Sequence, residues 1–177
     1  MCGMQTTQQD NRYRLRMQFC FVLTLAALLS AGQFALTGSA DTITQDEART
    51  ALRRAVSFFR SQVSTQGGYL WRYSADLNRR EGEGRAGKST AWVQPPGTPS
   101  VGQTYLQAYH RTHEPYLLAA AVETGKALVQ GQLQSGGWDY RIEFEPTART
   151  RYAYRLNDKI LGKHNVTTLD DNTTQSA

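Results

Sequence analysis

Cysteine is almost missing from this chain. Cys2 and Cys20 are the two present, both near the N-terminus, so the remainder has no thiol for a disulfide framework or a cysteine-ligated metal site. Histidine is scarce as well, and His110, His113 and His164 show no spacing that suits a metal. The HExxH, phosphate-loop and nucleophile-elbow motifs are lacking. No recognition motif accompanies the mild basicity, which leaves nucleic acid out of the expected partners. Long apolar runs are absent too. The one clear stretch, "FCFVLTLAALL" at Phe19–Leu29, is too short to span a bilayer and the right length for the core of an export signal.

Arg12, Arg14 and Arg16 precede that stretch, and the small residues of "TGSA" follow it before Asp41. We therefore read 1–40 as a signal peptide cleaved after Ala40, and 41–177 as an exported domain, periplasmic or secreted, with no membrane attachment after cleavage. An uncleaved anchor is the alternative. Loss of three arginines and Asp10 with the leader lowers the formal charge from +5 to +3. That charge suits a protein that handles a polyanion, and ordinary solvated surface explains it equally well.

Beyond the leader, Thr44 and Glu47 form a capping box, and Ala48, Leu52, Val56, Phe59 and Val63 recur at helical spacing, which predicts a helix over 45–63. Gly67-Gly68 ends it. "LNRREGEGRAGKST" reads as a polar loop, and "VQPPGTP" leads to a new helix with Thr98 as cap and Pro99 in the first turn. After "RTHEPY" a third helix continues to Gly136-Gly137; Gly125 and Gly131 within it suggest close approach of a neighbour. "WDYRIEFE" then alternates, with Trp138, Tyr140, Ile142 and Phe144 on one face and Asp139, Arg141, Glu143 and Glu145 on the other. "TRYAYRL" is its expected hairpin partner.

Helix, double glycine and aromatic strand thus occur twice, with Gly68 and Gly137 separated by 69 residues. This predicts a repeat of helical hairpins. "LDDNTTQSA" supplies Asp171 or Asn172 as an N-cap, so a further unit is expected to begin there and the chain reads as truncated.

Several residues are candidates for binding. Gln132, Gly136 and Trp138 match a Gln-Trp turn, which ties helix ends together, although a tryptophan there also floors a sugar cleft. Arg72 beside Trp71, Arg141 beside Trp138, and Arg149, Arg151 and Arg155 present planar forks that grip carboxylates. The plainer reading of these arginines is strand alternation, with Glu143 or Glu145 pairing across a hairpin. Asp170, Asp171 and Asn172 cluster oxygen ligands of the kind calcium prefers, and helix capping accounts for one of them.

In this order and spacing, "GGYLWRYS", the helix from "YLQAYH" to "QSGGWDYRIEF", and "VTTLDDNTTQSA" resemble the pectic acid lyases of polysaccharide lyase family ten, from about Thr44 to the last residue. The resemblance implies a mainly α fold, an incomplete (α/α) toroid of antiparallel helical hairpins with a small β-hairpin. It implies a monomeric secreted protein that cleaves polygalacturonate by β-elimination with calcium. Trp71, Arg72, Trp138, Arg141 and Asn172 would then contact the acidic polysaccharide, and Asp170 and Asp171 the metal. One departure stands against it: Gln94–Thr98, "QPPGT", replaces an Asp-Asn-Gly-Ala run of the family. Its catalytic arginine has no counterpart in these 177 residues, so no catalytic residue is assigned. A non-catalytic toroid that binds glycans is the alternative.

Overall fold

The computed structural model describes residues 43–157 and 162–177; the leader and its cleavage point lie outside the described residues. Thr44 caps the first helix with its hydroxyl, which accepts from Glu47 N at 3.2 Å, and the Glu47 carboxylate accepts from Thr44 N at 2.8 Å. Helix α1, Gln45–Phe58, follows, and a π-helical turn over Phe59–Val63 closes it at the expected end. Its apolar face brings Val56 and Val63 against Tyr105, Leu117, Ala120 and Ala121.

Helices α2, Thr98–Thr112, and α3, Pro115–Gly131, form a hairpin. His113 makes the turn in the left-handed conformation, donating its N–H to Tyr109 O at 2.7 Å, and Pro115 restarts the chain. Thr98 does not cap α2 as expected; Gly97 holds that position. The Thr98 hydroxyl instead accepts from Tyr69 N at 2.9 Å and donates to Tyr69 O at 3.2 Å, because tertiary packing puts the 69–73 segment beside it. Helix α3 stops at Gly131 rather than running on to Gly136.

Two small antiparallel sheets complete the fold. Strand β1, Arg72–Tyr73, pairs with β2, Arg80–Glu81, and β3, Thr90–Trp92, pairs with β4, Arg141–Glu143, setting Trp92 opposite Arg141. The expected hairpin between β4 and "TRYAYRL" does not form. Glu145 accepts from Thr147 N and Ala148 N at 3.1 and 2.7 Å, nucleating a short helix α4, Pro146–Arg149, where a strand turn was expected. Beneath this sheet Ala91, Val93, Leu133, Ile142, Phe144 and Tyr154 make a second core. Full burial of Leu117 and Ile142, one from each core, is worth about 1.5–3 kcal/mol apiece.

The incomplete (α/α) toroid is therefore not the architecture. Among the described residues one helical hairpin, α2–α3, stands beside a solitary α1 and two small sheets, so hairpins do not repeat. The matching glycine pairs misled because they punctuate unlike units. After Gly68 the chain enters the β1–β2 sheet, whereas after Gly137 it pairs with β3. The alternation of β4 is broken as well, since Glu143 is buried and its carboxylate accepts from the Thr90 hydroxyl at 2.9 Å. The C-terminal segment forms a 3₁₀ turn over Asp170–Asn172 and a one-turn helix, α5, Thr173–Ser176. Among the described residues no helix is long and apolar enough to cross a membrane.

Candidate functional site

Trp92 is the centre of the candidate site, and it is only 2% exposed. β pairing sets Arg141 across from it, with the guanidinium carbon 5.0 Å from the ring centroid. Trp71 meets the indole edge to face, with centroids 6.0 Å apart. On the remaining side lies Gly82, where a Cβ would stand 2.1 Å from the indole, so only glycine lets the β2 end approach this closely. A cleft of about 430 Å³ opens here, lined by Glu83, Trp92, Asp139, Tyr140, Arg141 and Tyr152.

Hydrogen bonds continue the site onto the C-terminal turn. The Tyr140 hydroxyl donates to Asp170 Oδ2 at 2.8 Å, and this bond is the main reason its pKa is pushed up to about 12. Gln94 Nε2 donates to Asp171 Oδ2 at 2.7 Å. Trp92 Nε1 donates to Gln94 Oε1 at 3.0 Å, and Trp71 Nε1 to the Gln94 backbone carbonyl at 2.9 Å. Asp139, which lines the cleft, also has its Oδ2 3.1 Å from His164 Nε2.

Of the residues singled out from sequence, Trp71, Arg141, Asp170 and Asp171 converge through this network. Trp138 does not join them. It ties the end of α3, donating Nε1 to Leu128 O at 2.8 Å, while Gln132 Nε2 donates to Gly136 O at 2.8 Å, so both bonds close one helix and neither joins two helix ends. Arg72 is exposed and pairs with Glu81 at 3.0 Å across the β1–β2 sheet. Asn172 is exposed in the left-handed conformation, with no side-chain capping bond.

Arg149, Arg151 and Arg155 do not form a stripe either. Arg149 is clamped on the carbonyls of Glu143 and Gln130 at 3.0 Å each, and burial lowers its pKa. Arg155 donates to Gln132 Oε1 at 3.0 Å, and Arg151 to Ala148 O at 3.4 Å.

For calcium, the residues present fall short of a cage. Asp170 and Asp171 each commit one carboxylate oxygen to a protein donor, and no group of three acidic, histidine or cysteine side chains gathers among the described residues. Calcium takes six to eight oxygens.

Trp92, Gln94 and Tyr140 are the site residues that sequence reading missed. No local pattern marks the first two, because β3 is three residues long and buried throughout, and Gln94 lies beyond its end. Tyr140 was assigned to the buried face of β4, and it is only half-buried. Comparison of the chain with protein-family models, with curated proteins and with solved structures finds no match.

Proposed function

We propose that this chain is an exported glycan-binding protein whose cleft takes an acidic polysaccharide of the polygalacturonate type. The observation that carries the reading is Arg141. Its fork is held over the buried Trp92 ring at the cleft wall, beside the half-buried Tyr140 and Tyr152, so a donor for carboxylates and two phenol rings line the space offered to a uronate. Glu83 and Asp139 also line this cleft, and Asp170 sits on Tyr140. One guanidinium among several carboxylates favours a polyanion only when cations screen the acids, so we assign calcium as a soluble partner of binding rather than a caged cofactor.

Pectate-lyase chemistry is the fuller form of the proposal. Binding alone is the form carried forward because no residue is assigned as the base for C5: the two phenols lining the cleft, Tyr140 and Tyr152, are protonated at neutral pH as ordinary tyrosines are, and their surroundings raise both further.

The test is polygalacturonate affinity of the full chain with calcium and with chelator, alongside ultraviolet detection of unsaturated uronates. Calcium-dependent binding that falls about tenfold in Arg141→Ala, with no unsaturated product, is the expected result. Accumulating product establishes the lyase. Equal affinity for a neutral glucan, or an unaffected Arg141→Ala, overturns the reading.

A further inference from the structure

Gln94 occupies the stretch whose departure from an acidic run counts against an active enzyme, yet both ends of its carboxamide are hydrogen-bonded. It is 5% exposed. Indole N–H only donates, so the Trp92 bond at 3.0 Å turns the carboxamide oxygen toward the tryptophan and leaves the NH₂ end facing Asp171, 2.7 Å away. The amide has no freedom to flip without setting two donors against each other.

What it holds needs holding. Asp171 and Asn172 both stand in the left-handed region, at φ 49° and 58°, which residues with a side chain enter seldom and Asp and Asn most readily. Asp171 is exposed on that turn. Without a fixed partner its carboxylate would sample several rotamers.

We propose that Gln94 is a positioning residue, a buried neutral donor that sets the Asp171 carboxylate on the turn that Asp170 joins to Tyr140 of the glycan cleft, while leaving its negative charge intact. An arginine or lysine in its place would orient the carboxylate and also cancel it. The carboxamide orients only, so Oδ1, which has no partner among the described residues, remains an anionic acceptor for a cation or a sugar hydroxyl. Trp71 is set by the same residue through its backbone carbonyl. Residue 94 thereby links Trp71, through its backbone, and Asp171, through its side chain, which lie far apart in the chain. This role rests on the glycan-binding reading for its purpose, and on geometry alone for its existence.

The experiment uses the full chain and two readouts. Gln94→Glu keeps the acceptor for Trp92 and replaces the donor by a second carboxylate, so positions 94 and 171 must share a proton. Carboxyl ¹³C NMR of that variant is expected to show two-step, coupled titration at these positions, as for groups that interact by more than about one pK unit. Polygalacturonate affinity is expected to fall about tenfold at pH 7 and to recover toward the parent's near pH 5, where the shared proton restores a donor. Gln94→Leu, with no donor at any pH, stays weak throughout, and Asp171→Asn keeps the bond but loses the charge.

Independent, single-step titration of the two carboxyls in Gln94→Glu overturns the positioning role. So does an affinity loss that follows thermal stability and does not recover at lower pH. If the parent chain binds no polygalacturonate while the coupled titration appears, the glycan reading fails and the positioning stands.

Discussion

Arg60 and Glu123 show what single side chains do between α1 and α3. Arg60 Nε donates to Glu123 Oε2 at 2.9 Å, with a second bond from Nη2 to Oε1. The bond from Arg60 lowers the Glu123 pKa below its ordinary 4.5, and the same bond raises that of Arg60. A lowered carboxyl stabilises the fold above the unfolded value and loses that contribution as pH falls through the folded value. Glu123→Gln should therefore cost stability at neutral pH and nothing at pH well below 4. Because the Glu123 side chain is 43% exposed, solvent holds the effect to under about 1 kcal/mol. Urea denaturation of both proteins across that pH range measures it. Nothing local announces this pair, since 63 residues separate its members.

At the scale of elements, α3 carries two glycines of opposite meaning. A Cβ at Gly131 would stand 2.3 Å from the Ile142 side chain, so the helix end and β4 touch because that position is bare. Gly125 is exposed, with nothing within 4 Å of a Cβ. Close approach was expected at both, and packing supplies it at one, since composition marks a glycine without saying which way it faces. Gly125→Ala should stabilise the protein by about 0.5–1 kcal/mol, through helix propensity and a less flexible unfolded chain, as read by thermal denaturation. Gly131→Ala is expected to do the reverse, forcing Ile142 from its place in the second core.

Charge acts at the scale of the molecule. The domain proposed to be exported carries a formal +3, the full chain's +5 less the leader's three arginines and Asp10, and although acids crowd the cleft, approach of a polyanion from a distance senses the sum. Raising sodium chloride from about 50 mM to about 0.5 M shrinks the screening length severalfold. It should slow association with polygalacturonate severalfold while leaving contact with any neutral glycan unchanged, as stopped-flow or biosensor kinetics would report.

The first three helices were legible in outline, unlike the short α4, the Gly97 cap of α2 and the end of α3 at Gly131, because their determinants are local: a capping box at Thr44, apolar residues three and four apart, and Pro115 at a restart. Such signals lie within a turn or two of what they specify. The strands and the cleft were not legible, because a two- or three-residue strand has no period to read and takes its partner from elsewhere. β4 chose β3 over the nearer "TRYAYRL" once Glu145 had turned the chain into a helix. Burial of Glu143 and of Trp92, and the meeting of Gln94 with Asp171 across 77 residues, follow from that choice. Short-range chemistry drew the three main helices; only the packing of distant segments, which makes buried polar groups find each other, took Thr98 from its cap and assembled a site.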